Sequence, residues 1–324
     1  MTQTDVEHIH VPADADGQRL DRWLKKRMPF VLAQKLIRTG QIRVDGKRVK
    51  PDTRISEGQD VRIPPFENAP KKKQKKPLTA AEKEMIRSWV LYDDGDIVVL
   101  NKPADIASQG GENVDQHVDR LLPALAGKKD LAPKLIHRLD KETSGLMVVA
   151  RVPDTIRKLG KMFQQRDVKK IYWALVSPTP EDRDGVIRAP IGQGAAWDKM
   201  TVDEDDGKYA LTEFKVIDKA ADHYAFVAFW PRTGRTHQIR VHAAEILESP
   251  IVGDKRYHGD NAAEGVEMAR RLHLHARRLI LPLPGKKNKV IDVTAPLPDD
   301  LKKSWTSFNF DPDMQDDPFS DGGR

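Results

Sequence analysis

The 324-residue sequence predicts an α+β protein in two parts. Three observations carry this. Apolar residues recur at helical spacing near the N-terminus, and short apolar or alternating runs rich in Val, Ile and aromatic residues recur through the rest. A proline-bounded run of like charge divides the two. A chain of this length has room for two cores.

Residues 1–17 are polar and acidic, lack an apolar signal core and read as a flexible leader. In the unit that follows, residues 18–65, Leu20, Leu24 and Met28 recur every four residues, which predicts a helix with Asp21, Arg22, Lys25 and Lys26 outward. A second helix is expected over Leu32–Thr39, closed by Gly40, which suits a left-handed cap. Gln41–Val44 alternates as a strand, Asp45-Gly46 turns and Lys47–Val49 returns. Val61–Ile63 adds another strand before Pro64-Pro65. Residues 66–87, with Lys71-Lys72-Lys73-Gln74-Lys75-Lys76 between two prolines, are expected to form an extended basic linker, because like charges repel and nothing apolar anchors them.

The larger part, residues 88–306, starts near Trp89. Ile97–Leu100 is a buried strand stopped at Asn101-Lys102-Pro103, since proline cannot continue a ladder. Met147–Ala150, Ile171–Val176, Tyr224–Trp230 and Val290–Val293 are further strands, and Asp154–Gln164 is a helix. Residues 307–324 are acidic and turn-rich, with few residues able to fill a core, and are expected to be disordered.

Composition narrows the function. With no cysteine, disulfides, thiolate catalysis and cysteine-ligated metal clusters are excluded, and a cytoplasmic setting fits. A formal net charge of +6 favours an anionic partner. No run approaches the roughly 20 apolar residues of a membrane helix.

Two blocks carry the candidate chemistry. In His137-Arg138-Leu139-Asp140-Lys141-Glu142-Thr143-Ser144-Gly145-Leu146, Asp140 stands between two cations, which favour its ionised form. Such a carboxylate serves as a nucleophile or a base. Charge pattern alone reads as solvated surface, but Thr143-Ser144-Gly145 is a turn signal running into a strand, a junction where scaffolds present functional loops. In the second block, Pro231 to His242, Thr236 is the expected N-cap, and His237 and Arg240 share a helix face. Ile239, Ala243 and Ile246 are expected to face the core. Arg240 then projects from the first turn with a fork suited to a carboxylate. Between these blocks, Tyr172 should point opposite to Ile171 and Trp173, as core filler on the bland reading.

No metal is expected. His237 and His242 fall on different sides of a helix, and His273 and His275 lack a third ligand. The chain has no phosphate-binding loop and no dinucleotide fingerprint.

His137-Arg138-Leu139-Asp140 followed by Thr143-Ser144-Gly145 closely resembles the active-site motif of the RluA family of RNA pseudouridine synthases. Asn101-Lys102-Pro103, the Tyr172 strand, the Arg240 block, Val252–Tyr257 and Leu274-His275-Ala276 follow in that family's order, so the resemblance runs from Gln18 to about Leu301. Residues 18–65 resemble the S-four-type RNA-binding domain in Arg19-Leu20-Asp21-Arg22, Leu36–Gly40 and Val44–Val49, with Leu32-Ala33 where that domain usually carries Ser-Arg.

The resemblance implies a helix–helix–hairpin RNA-binding domain followed by a catalytic domain of mixed, mainly antiparallel β-sheet flanked by helices. It implies isomerisation of uridine to pseudouridine in RNA, with large-subunit ribosomal RNA as the partner, by a cytoplasmic monomer. Asp140 is the implied catalytic residue, Tyr172 stacks on the target base, and Arg240 forms a salt bridge with Asp140. Three roles are open to that carboxylate: attack on the anomeric carbon, attack on the uracil ring, or proton abstraction. Arg138 is the implied RNA contact near an extruded nucleotide, Arg235 and His237 are further implied RNA contacts, and Arg22, Arg38, Lys47 and Arg48 are those of the small domain. The alternative is a non-catalytic RNA-binding or ribosome-assembly factor on the same fold, but a degenerate enzyme would tend to lose one of Asp140, Tyr172 and Arg240, and all three are present. A metal-dependent nuclease lacks a plausible carboxylate cluster.

Overall fold

The computed structural model describes residues 5–66, 77–110, 115–127, 131–196, 199–257, 266–283 and 289–320. The chain divides into two compact units at Pro77 and Leu78.

In the smaller unit, helices Leu20–Leu24 and Phe30–Arg38 pack over a four-stranded sheet in the order Glu7–His10, Asp60–Ile63, Arg43–Val44, Lys47–Arg48. The first helix stops earlier than its apolar spacing suggests, yet Met28 still reaches the core. The hairpin turn at Asp45-Gly46 has φ of 49° and 73°, the doubly left-handed geometry that a two-residue connection requires. Gly40 has φ 71°, a left-handed backbone that favours glycine at the helix end.

The leader differs from expectation from residue 5 onward. Glu7–His10 pairs antiparallel with Asp60–Ile63, and Val11 and Ala15 are buried. The pairing covers what would otherwise be an open sheet edge. The linker is also shorter than 66–87. Phe66 is buried in the smaller core, and Ala80–Ser88 is a helix with a capping box in which Thr79 Oγ1 accepts from Glu82 N and Glu82 Oε2 accepts from Thr79 N. The Lys71–Lys76 run lies outside the described residues.

The larger unit is built on a mixed sheet. Its path runs Asp184–Arg188, Leu211–Ala220, Tyr224–Pro231, Lys169–Val176, Leu274–Pro282, Ser144–Ala150, Ile97–Lys102, Val90–Asp93. Pairing along it is antiparallel except where Leu274–Pro282 meets Ser144–Ala150. Strand alternation sends Tyr172, Ala174 and Val176 into one core and Ile171, Trp173 and Leu175 into another on the opposite face.

That second face corrects the expectation of a disordered 307–324 tail. Phe310 and Phe319 are buried there against Trp173, Phe226 and Trp305, and Lys169 Nζ lies 2.6 Å from Asp317 Oδ2. The tail is poor in apolar residues, but the ones it has are large, and two arginines hold its backbone: Arg277 Nη2 donates to Met314 O and Arg278 Nη1 to Gln315 O. Residues 321–324 lie outside the described set. No helix among the described residues is long and apolar enough to cross a membrane.

Candidate active site

Asp140 sits in the loop before the strand Ser144–Ala150, whose seven residues are all buried. Gly145 belongs to that strand rather than to a turn. Its φ is 109°, and a Cβ would lie 2.3 Å from the Ala276 carbonyl oxygen, so glycine alone permits the close approach of the two central strands. Ser144 Oγ and His275 Nδ1 are 2.9 Å apart, fixing the register at the start of the strand.

The loop itself is held from several sides. Ser108 Oγ accepts from Leu139 N at 3.0 Å and donates to Leu139 O at 2.6 Å. His137 Nε2 accepts from Val148 N at 2.9 Å, and its ring stacks on Phe163. The fully buried Lys102 donates to the carbonyls of Pro103 and Ile106 at 2.8 and 2.9 Å and to that of Lys141 at 3.2 Å. Burial lowers the Lys102 ammonium to about 8, and the nearby Asp140 charge opposes that shift most strongly. Reading Asn101-Lys102-Pro103 as strand punctuation misses this tether, because the three carbonyls that make it are assembled only by the fold.

Tyr172 comes from the strand Lys169–Val176 and is 9% exposed. Burial, and then the Asp140 charge, push its phenol well above the usual range, so it is protonated at neutral pH. As a neutral phenol it can offer a ring face and a hydrogen-bond donor.

Arg240 comes from the helix Gln238–Glu245, buried on all sides from Gln238 to Ala243. The N-cap is His237, with φ 55° and no side-chain capping bond, and the expected cap Thr236 is exposed instead. Gln238 takes over the work of fixing the turn. Its Oε1 accepts from Arg235 N and Thr233 Oγ1, and its Nε2 donates to Leu211 O and Thr212 Oγ1. Ile246 lies past the helix and is exposed, not packed in the core.

The principal partner of Arg240 is Asp254. Arg240 Nε and Nη2 each donate to it at 2.7 Å, a bidentate pair with both side chains buried. Only Nη1 faces Asp140, at 3.9 Å from Oδ2, and it lies closer to Glu142 Oε2, at 3.6 Å. Nη1 is buried without a hydrogen-bond partner. The expected Arg240–Asp140 salt bridge is thus a long ion pair, and the bidentate grip belongs to Asp254. In the sequence, Asp254 stood out only as part of the Val252–Tyr257 block. Gly253, with φ 74°, has no room for a Cβ, which would lie 2.1 Å from the Arg271 carbonyl oxygen. Asp254 also accepts from the backbone N–H groups of Arg256 and Tyr257.

Tyr257 extends this network. Met200 N donates to its hydroxyl at 3.0 Å, and that hydroxyl lies 2.7 Å from His237 Nδ1. Burial pushes the phenol up to about 12 and lowers the His237 imidazole.

Asp140, Tyr172 and Arg240 line one cavity of ≈ 690 Å³ together with Arg138, Arg235 and His237. That volume suits a small-molecule-sized guest such as a single nucleotide. Arg22, Arg38, Lys47 and Arg48 are exposed on the smaller unit.

The remaining histidines weighed as metal ligands are taken up in hydrogen bonds. His242 lies between Thr212 Oγ1 and Ala189 O, His273 between Val252 O and Ser304 Oγ, and His275 between Ser144 Oγ and Ala295 O. Burial lowers His137 and His275 to about 3 and His273 to about 4. Unfolded imidazoles take up protons below about 6.5 whereas these folded ones do not until pH 3–4, so stability is complete above 6.5 and falls as pH drops. Urea denaturation at pH 5 is expected to show a loss of up to about 2 kcal/mol per ring relative to pH 7, with a smaller pH dependence in His275→Gln. Equal stability at both pH values would contradict it.

Comparison with known proteins decides the family. The sequence profile of RNA pseudouridylate synthases matches residues 96–245, and that of the S4 domain matches residues 18–61. The ribosomal large subunit pseudouridine synthase C of Vibrio cholerae is 32% identical over 94% of this chain and 98% of its own length. The chain belongs to the RNA pseudouridylate synthase family. The protein of the same name from Escherichia coli is 33% identical over 92% of this chain and 95% of that one. Among solved structures, human RNA pseudouridylate synthase domain containing 4 aligns with a TM-score of 0.60 at 31% identity, covering 70% of this chain and 95% of that one. Human RNA pseudouridylate synthase domain containing 1 aligns with a TM-score of 0.51 at 28% identity, covering 64% and 83%. The α+β fold, the RNA-binding N-terminal domain and the pseudouridine synthase assignment expected from the sequence all stand with the family.

Proposed function

We propose that this chain converts uridine to pseudouridine in large-subunit ribosomal RNA, acting without a cofactor as a monomer in the cytoplasm. The observation that carries the reading is the convergence of Asp140, Tyr172 and Arg240, from three separate elements, in one cavity with arginines on its wall. The full-length likeness to two bacterial proteins named for the large ribosomal subunit supports that substrate. The S4 domain and the net charge of +6 support an RNA partner.

The reaction is redox-neutral. The C1′–N1 bond breaks, the uracil turns, and a C1′–C5 bond forms. The C5 hydrogen leaves as a proton and N1 takes one up. Asp140 is the group that acts on the nucleoside, since a carboxylate can attack carbon or accept a proton. Arg240, clamped by Asp254, offers its spare Nη1 to orient Asp140 once substrate excludes water. Tyr172 stacks on the base as a neutral phenol. Arg138, Arg235 and His237 meet the RNA around the extruded nucleotide, and Arg22, Arg38, Lys47 and Arg48 bind phosphates elsewhere. These contacts offset the few kcal/mol that extrusion costs.

RNA transcribed with tritium at uridine C5 tests the reading, because every isomerisation expels that hydrogen. Tritium should appear in water with no added metal or cofactor, up to a small number of equivalents per RNA. RNA that binds without releasing tritium would favour the non-catalytic RNA-binding or ribosome-assembly factor.

A further inference from the structure

A nucleotide extruded into a cavity leaves its neighbours in the strand without a stacking partner, and an aromatic ring beside the cavity mouth can replace it. Among the described residues of the larger unit, Tyr209 is the one exposed aromatic side chain, at 47%. It is presented from a fixed backbone. Lys208 exchanges both backbone hydrogen bonds with Ile191, Ala210 is fully buried, and the Tyr209 carbonyl accepts from Arg235 Nε at 2.9 Å.

Its neighbours are cationic. Arg235 lines the Asp140 cavity, and the guanidinium of Arg166 lies 5.4 Å from the Tyr209 ring centroid. Arg166 and Arg232 line both that cavity and an adjoining groove, which adds Arg188 and also carries Asp167 and Glu213. Arg232 is held in place, stacked on Trp230 at 3.8 Å and paired with Glu213 at 3.5 Å. An exposed ring on a rigid segment, flanked by guanidinium groups at the rim of the cavity, has the two features of a single-strand platform: a stacking face and phosphate partners.

We propose that Tyr209 is a stacking platform for an unpaired RNA base flanking the extruded uridine, with Arg166 and Arg235 holding the adjacent phosphates. This rests on the RNA-modifying reading above. It adds a second base-binding subsite, outside the cavity that holds Asp140.

The test compares wild type, Tyr209→Phe and Tyr209→Ala on unmodified large-subunit ribosomal RNA, reading KM and kcat by tritium release and Kd by equilibrium binding of the same RNA. Tyr209→Ala is expected to raise KM and Kd by roughly 5- to 150-fold, the range for losing one stacked base, with the loss falling on KM rather than kcat. Tyr209→Phe keeps the ring and should stay within about twofold of wild type. An unchanged Kd for Tyr209→Ala, or a Tyr209→Phe as weak as Tyr209→Ala, would overturn the platform. Absence of tritium release from wild type would instead sink the isomerase reading, and the Kd ratio would still decide the platform.

Discussion

Asp140→Asn is expected to abolish turnover, by about 10⁴-fold or more, while the protein stays folded and its RNA affinity stays near that of wild type. The scale is that of deleting a group that reacts with the substrate. The variant keeps the shape of the side chain and removes its charge, its nucleophilicity and its basicity. The loop does not depend on that carboxylate. Ser108, Lys102 and His137 hold residues 137–141 through bonds to the backbone at Leu139, Lys141 and Val148, and none of these involves the Asp140 side chain. Arg240 keeps its two hydrogen bonds to Asp254. A side chain 28% exposed at 3.9 Å from its cation contributes at most about 1 kcal/mol to folding. Single-turnover rates at saturating RNA, with circular dichroism and RNA binding in parallel, check this. A variant that turns over within tenfold of wild type would contradict the role.

Asp254→Ala is expected to destabilise the larger unit by about 3–5 kcal/mol, the scale for removing one partner of a buried ion pair. Arg240 is 3% exposed and Asp254 1%, so no water replaces the two lost hydrogen bonds. The freed guanidinium should then turn towards Asp140 and Glu142, which already lie at 3.9 and 3.6 Å from Nη1. Asp140 would be drawn into a direct hydrogen-bonded pair, so the turnover that survives should be lower even where the protein is folded. Asp254→Asn retains the shape and some of the hydrogen bonding, and should fall between the two in denaturant midpoint. A change below about 1 kcal/mol in Asp254→Ala, measured by urea denaturation, would contradict the clamp.

The parts of this molecule that follow from local pattern were legible in the sequence. Period-two alternation placed Tyr172 opposite Ile171 and Trp173, and the sheet sends them to opposite cores. Asp45-Gly46 specified its turn through backbone preference alone. The chemical blocks around Asp140 and Arg240 announced a site, and both line the same cavity.

What escaped depends on contacts between distant segments. Asp254 meets Arg240 across a glycine turn, and a Gly-Asp pair looks the same whether its carboxylate is solvated or buried. Lys102 is buried only because carbonyls from residues 103, 106 and 141 converge on its ammonium. Thr236 lost the N-cap to a left-handed His237 because the Gln238 side chain, anchored on Leu211 and Thr212, had already fixed the turn. In the tail, composition counts residues, whereas the outer face of the sheet needed area, and Phe310 and Phe319 supply it.

The most direct measurement is a nucleotide-resolution map of pseudouridine in unmodified large-subunit ribosomal RNA after incubation with wild type or Asp140→Asn, without cofactor. Pseudouridine at a few fixed positions with wild type and at none of them with Asp140→Asn is the expected result. The same map from both proteins, or no pseudouridine from wild type, would contradict it.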